Sequence, residues 1–225
     1  MAEARVTLSA NAGVSIQIGK HRIWVDALHQ DKQTGFSAVT PQLLQSILGS
    51  EAFQKPEYIC VTHCHPDHYS EEMVGEALAL WPEAQLCLPK PTKLQTDDLT
   101  VEFLRLPHEG AQYAAVEHYG ILLCVGGKHI LIPGDCETAS PALAEAVGER
   151  SIDLAILNFP WVTLSKGRNF LTQILRPKHI LLCHLPFAQD DVNGFRRSAQ
   201  RNAQLLPQMD VRVLCDPLQS ETVNI

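Results

Sequence analysis

Three histidines and an aspartate, all able to ligate a metal, fall within six positions of this chain. The segment reads Thr62-His63-Cys64-His65-Pro66-Asp67-His68 and follows an apolar stretch that ends at Val61. Imidazole and carboxylate are good ligands for zinc at ~2.0–2.2 Å, provided each histidine is neutral. Residues two apart at a strand end point the same way, so His63 and His65 can share one cation. Asp67 and His68 lie beyond the Pro66 turn and can face a second cation. Three imidazoles and a carboxylate packed this tightly suit metal binding better than helix capping.

The elements that position this segment follow from apolar patterning. Val14–Ile18 alternates apolar and polar, Gly19-Lys20 turns, and residues 22–25 continue as the second arm of a hairpin ending at Asp26. A loop containing Gly35 leads to a helix capped by Thr40, with Pro41 first and Leu43, Leu44, Ile47 and Leu48 as its buried stripe. Residues 58–61 form a short strand. Pro66 keeps the segment after it in a loop, and Ser70 caps a second helix reaching Trp81. Further strands are expected at 85–88, 100–106, 120–125, 129–132, 153–159, His179–Cys183 and 211–215, with helices at Pro141–Val147, 169–175 and 192–205. Gly126-Gly127 marks a hairpin turn. Strands and helices alternate, with hairpins among them, so the class is α/β with mixed sheets.

Composition narrows the field. The 225 residues suit a single domain over 1–225, or two small halves packed together. Apolar content is 45% and the net charge is −7, which excludes disorder and argues against a nucleic-acid partner. The one basic group, Arg196, Arg197 and Arg201, reads as a solvated helix face. No apolar run approaches the ~20 residues of a membrane helix, and residues 1–10 show no secretory pattern. Seven cysteines, an odd number without a C-x-x-C pair, fit reduced thiols in a cytoplasm. Oligomeric state cannot be read from the chain.

The segment at 63–68 resembles the HxHxDH signature of the metallo-β-lactamase superfamily. That family adds a histidine, an aspartate and a last histidine downstream, each at a strand end. His108 in Leu106-Pro107-His108-Glu109-Gly110, Asp135 in Ile132-Pro133-Gly134-Asp135, and His184 after Cys183 match in order. The resemblance runs from about Asp26 to His184. It implies a four-layer αβ/βα sandwich with two mixed sheets, and two divalent ions, of which zinc is favoured while manganese and iron also suit the ligand set. One metal would be held by His63, His65 and His108, the other by Asp67, His68 and His184, with Asp135 bridging them. Asp26 would then support the site, or simply occupy a turn.

His118 also precedes the Gly-Asp hairpin and rivals His108, although His108 ends a strand directly; His118 otherwise lines the pocket. His29 either reaches substrate or, the favoured reading, is a surface loop residue, and His21, His129 and His179 read as structural. Cys183 should be core, while Cys64 and Cys136 stay open between packing and reactivity. Trp161 and Phe187 either wall a substrate or pack.

Two cations ~3.5–4 Å apart can share a water and bring its pKa toward ~7, making a nucleophile at neutral pH. Asp67 and Asp135 are the expected catalytic carboxylates, and no Gly-x-Ser-x-Gly elbow competes with them. The expected activity is hydrolysis of a small ester, lactone or phosphoester. The short segment after His184 leaves no room for the glutathione-binding domain of the glyoxalase II branch. Length and motif most resemble the small cytoplasmic branch that includes ascorbate-6-phosphate lactonase-like proteins. Two alternatives remain: an iron-dependent oxidoreductase of the same fold, against which His65 and the chain length speak, and a non-catalytic metal- or ligand-binding module.

Overall fold

The computed structural model describes residues 2–30 and 35–225. Positions 31–34, part of the loop expected before the first helix, lie outside the described residues. The chain divides into two compact units. The first takes the described residues within Met1–Leu88 and adds His184–Arg196 and Leu214–Asn224; the second takes Pro89–Cys183 and Arg197–Val213.

The first unit is built on a six-stranded mixed sheet. Its strands are β1 Glu3–Leu8, β2 Val14–Ile18, β3 His21–Val25, β4 Tyr58–Cys60, β5 Gln85–Cys87 and, from the C-terminal end of the chain, Ser220–Asn224. The last of these pairs antiparallel with β1, with Glu3 opposite Asn224 and Thr7 opposite Ser220. From β3 to β5 the pairing is parallel. Two helices cover one face. In α1, Pro41–Gly49, Thr40 accepts the Leu43 N–H at the N-terminus; in α2, Glu71–Leu80, Ser70 does the same for Met73. Their apolar stripes, Leu44 with Ile47 and Met73 with Val74 and Ala77, pack on Trp24 and Ile59 of the sheet. Trp24 anchors this core, with Phe53 and Trp81 edge-on at centroid distances of 5.5 and 5.4 Å.

The second unit carries a seven-stranded sheet: β6 Lys93–Gln95, β7 Leu99–Arg105, β8 Tyr119–Val125, β9 Lys128–Ile132, β10 Leu154–Asn158, β11 His179–Cys183 and β12 Asp210–Val213, laid side by side in sequence order. Strands β6 to β9 pair antiparallel and β9 to β12 parallel. Alternate residues of the central strands, Leu122, Leu131, Ala155 with Leu157, and Ile180 with Leu182, join one core. Helix α3, Pro141–Val147, contributes Leu143 and Val147 to it. Two short helices, α4 Pro160–Thr163 and α5 Ser165–Phe170, run into a π turn over Leu171–Leu175. Helix α6 spans Phe195–Ala203, and the C-terminal strand is β13.

Several expected boundaries move. The helix anticipated at 169–175 starts nine residues sooner in pieces, because Pro160 can open a helix as well as end one. The helix anticipated from 192 begins at Phe195, whose N–H is bound by the Asp191 carboxylate. Strands β1, β6 and β13 do not stand out in the sequence pattern. Glu3–Leu8 does alternate in burial, but β6 and β13 are short, polar edge strands whose existence depends on distant partners. Gly126 and Gly127, both at positive φ, make the expected hairpin turn. Among the described residues, no helix is long and apolar enough to cross a membrane.

Candidate metal centre

In the first unit the parallel strands β3 and β4 end side by side, and both chains turn at that edge. Asp26 follows β3 with a positive φ of 49°, a conformation that Asp tolerates better than most residues. The turn aims its carboxylate at the segment after β4. Oδ1 accepts the Thr62 N–H at 2.8 Å. Oδ2 accepts the Thr62 hydroxyl at 2.6 Å and the His68 Nδ1–H at 2.9 Å. Asp26 is 3% exposed, so these bonds replace water completely. Asp26 is therefore at once a turn residue and a supporting aspartate.

The proton pattern follows. A carboxylate only accepts, so His68 carries its proton on Nδ1 and directs Nε2 the other way. The Thr62 hydroxyl, having given its proton to Asp26, accepts from His63 Nδ1 at 3.0 Å. His63 thereby keeps Nε2 as a lone pair, 3.1 Å from Nδ1 of His65. Two nitrogens bound to one tetrahedral zinc at ~2.0–2.1 Å lie about 3.3 Å apart, so this pair is spaced for a shared cation. The turn that separates the pairs is closed by the N–H groups of His68 and Tyr69 on the His65 carbonyl.

Asp67, His68 and His184 form a second convergence. All three are buried, and one ligand atom from each falls within 4.8 Å of the others. His184 Nε2 lies 3.7 Å from Asp67 Oδ2, and the His68 and His184 rings are 5.1 Å apart. His184 has a positive φ of 59° and is held by its N–H on the Asn11 carbonyl at 2.7 Å. Phe36 stacks on its ring, with centroids 4.3 Å apart and planes within 5°. The donor set suits a divalent ion: one carboxylate and two imidazoles, with the tautomer of His68 fixed by an outer carboxylate.

The second unit brings His108 and Asp135 together. The stretches around them pair like a fragment of ladder: Glu109 N–H donates to the Asp135 carbonyl at 2.8 Å, and Glu137 N–H to the Pro107 carbonyl at 2.9 Å. Gly134, at a φ of 59°, makes the turn that exposes Asp135. His108 Nε2 stands 3.8 Å from Asp135 Oδ2, while its Nδ1–H donates to the Glu109 carbonyl at 2.8 Å. The other oxygen of Asp135 accepts the Asn158 amide at 2.5 Å. His118 has its ring centre 5.4 Å from that of His108 and is bonded to Leu106. Of the two rivals, His108 is the one beside Asp135.

Other expectations resolve here. His29 is fully buried, contrary to a surface position, and lies within 3.3 Å of the Asn11 amide. Cys136 is buried, and burial, followed by the nearby Glu137 and Glu109 charges, pushes its thiol up to about 12. Cys64 is exposed, and Cys183 is core, as expected. Trp161 and Phe187 are buried in the cores of their own units. His21, His129 and His179 bond to Glu57, the Ser151 carbonyl and Asp210, structural roles as expected.

Three residues of the site carry no mark in the sequence pattern. Asn158 holds Asp135. Thr62 orients His63. Asn11, wholly buried at a φ of 46°, binds both the N–H and the carbonyl of Ser37 through its side chain while its own carbonyl holds His184. A polar residue closing a buried strand run, as in Leu154–Asn158, is the one local signal that could have flagged Asn158.

No protein-family model and no curated protein sequence matches the chain. Solved structures do. The metallo hydrolase Igni18 of Ignicoccus hospitalis aligns with a TM-score of 0.66 at 14% identity, over 99% of both chains. The metallo-beta-lactamase fold protein YhfI of Bacillus subtilis aligns at 0.60 and 13% identity, over 99% of this chain and 100% of that one. The chain has the metallo-β-lactamase fold. The same fold occurs in CmlA, a diiron beta-hydroxylase of Streptomyces venezuelae, which aligns at 0.58 and 13% identity over 99% of this chain but 54% of its own. Two mixed sheets with helices, and a cluster of histidine and aspartate at strand ends, accord with a metallo-β-lactamase fold.

Proposed function

We propose that this protein is a hydrolase that works with two divalent ions, zinc foremost, on a small ester, lactone or phosphoester. His63, His65 and His108 serve one ion, Asp67, His68 and His184 the other, and Asp135 both. The observation that carries this reading is the buried convergence of Asp67, His68 and His184, with His68 oriented by Asp26. The His63–His65 and His108–Asp135 pairings support it. The likeness to Igni18 lends the reaction class.

When bound, such a pair of ions supplies a nucleophilic water at neutral pH and polarises the substrate oxygen. The chain's own groups do the rest. Asp26 and Thr62 set the protons of His68 and His63 so that each ring offers Nε2. Asp67 has two oxygens, and the one not given to a cation can accept a hydrogen bond from the attacking water. Asn158 fixes Oδ1 of Asp135, and Oδ2 would remain available to a cation. No cysteine serves as nucleophile. We assign the protein to a reducing compartment such as the cytoplasm, the setting that an odd number of cysteines without a C-x-x-C pair fits.

The test is metal analysis with turnover on ester, lactone and phosphodiester panels. His63→Ala and Asp135→Ala should each lose metal and turnover together; unchanged turnover in either would refute the reading. The likeness to CmlA favours a second reading, iron-dependent oxidation. Stoichiometric iron with oxygen uptake would select it, and two bound ions with no activity in either assay would mark a binding module.

A further inference from the structure

The backbone of His184 is fixed in a way that leaves its ring undetermined. A positive φ on a non-glycine residue is sparsely populated and persists where neighbouring contacts hold it. At His184 one such contact is the N–H on the Asn11 carbonyl at 2.7 Å. This places Cβ, but two side-chain torsions remain. A metal ligand has to point within ~10–20° of its productive direction.

The segment Gly35-Phe36-Ser37 supplies that further constraint. Phe36 lays its ring on that of His184, with centroids 4.3 Å apart and planes within 5°. Face against face, the imidazole can shift within its plane, but tilting out of it meets the phenyl ring. Phe36 is half-buried and does not join the apolar core around Trp24, so the packing of that core does not account for its position. Phe195 stands beside it, tilted, at 6.4 Å.

Ser37 is fully buried and anchors the segment with every polar atom engaged. Its N–H donates to Asn11 Oδ1 at 3.1 Å, and its carbonyl accepts from Asn11 Nδ2 at 2.6 Å. Its hydroxyl donates to Asp190 Oδ2 at 2.7 Å and accepts the Phe187 N–H at 2.8 Å. Gly35 opens the segment at a φ of 91°, and a Cβ there would stand 3.2 Å from the Asn193 amide. All of these residues belong to the first unit. Asn11 therefore holds the His184 backbone directly and, through Ser37, the residue that lies on its ring.

We propose that Gly35-Phe36-Ser37 is a clamp for the His184 ring, with Phe36 a positioning residue for a metal ligand and Ser37 its anchor. The proposal rests on the assignment of His184 to a cation and on no particular reaction.

The probe is cobalt(II), whose visible absorption reports ligand geometry, bound to the purified full chain and competed with a chromophoric chelator. Phe36→Leu keeps an apolar side chain but removes the flat face. It should weaken one of the two ions by about two- to tenfold, the worth of one aromatic contact, and alter the absorption of that ion alone. Phe36→Tyr, which keeps the ring, should restore both. Ser37→Ala should weaken the same ion, and combining it with Phe36→Leu should add little, because the two act through one clamp. Unchanged affinity and absorption in Phe36→Leu, no recovery in Phe36→Tyr, or additive losses in the double variant would each overturn the proposal. No cobalt bound by the unmodified protein would overturn it together with the metal assignment. A clamp effect without hydrolysis of any panel substrate would support the proposal and count against the hydrolase.

Discussion

The carboxylate of Asp26 offers the sharpest test of how this centre is organised. Replacing it by asparagine preserves volume and the positive φ, which Asn tolerates as well as Asp. Oδ1 can still accept the Thr62 N–H. The new amide nitrogen, however, stands where Oδ2 received two protons, from Thr62 Oγ1 and His68 Nδ1. The threonine hydroxyl can rotate to accept instead. The His68 Nδ1–H cannot, so the ring moves its proton to Nε2 and loses the lone pair meant for a cation. Loss of such an outer carboxylate costs 10–100-fold in metal affinity, or about 1.4–2.8 kcal/mol. The buried charge-assisted bonds add about 1–3 kcal/mol of stability. Competition with a chromophoric chelator should reveal one weakened ion out of two in Asp26→Asn. Urea unfolding without metal separates the stability component. Unchanged affinity for both ions would refute the proton assignment and with it the role given to Asp26.

Asn158→Ala removes the donor on Asp135 and should lower metal affinity by about tenfold or more in the same chelator titration, with little change in fold. Gly13→Ala would put a methyl group against Ser9 Oγ, 2.5 Å from the Asp26 carbonyl and 2.9 Å from Ala27 Cα. Backbone cannot yield cheaply there, so a loss of about 1–3 kcal/mol is expected in urea unfolding. Asp153 is buried, which pushes its pKa up, but the Lys178 ammonium, the His129 N–H and Lys128 outweigh that and hold it below the ordinary carboxylate range. A lowered native pKa stabilises above the unfolded value and is lost as pH falls through the native one. Asp153→Asn should therefore be less stable at pH 7, with the gap narrowing below pH ~4.

Residues 63–68 are legible in the sequence because metal-ligating side chains so dense after an apolar strand seldom serve any purpose but coordination. Asp135 is legible through the glycine beside it, and His184 through the strand before it. Asp26 is not decidable, since a turn aspartate and a supporting aspartate look alike until His68 is seen against it. Asn11 and Thr62 are held in place by Ser37 and Asp26, 26 and 36 residues away, and no local pattern encodes such a bond. The burial of His29 and His118 is likewise set by tertiary packing. Edge strands are the least legible: Ser220–Asn224 holds few apolar residues and exists as a strand because β1, over two hundred positions earlier, lies beside it.

That last pairing bears on synthesis. The first unit keeps an open edge at β1 until the final strand emerges, and His184, proposed above as a metal ligand, is translated only after nearly all of the second unit. The second unit can assemble largely from one continuous stretch while the ribosome is still working. The first must wait with an unpaired, apolar strand exposed, which is the circumstance that favours aggregation and slow closure. Trimming the last six residues would strand that edge permanently.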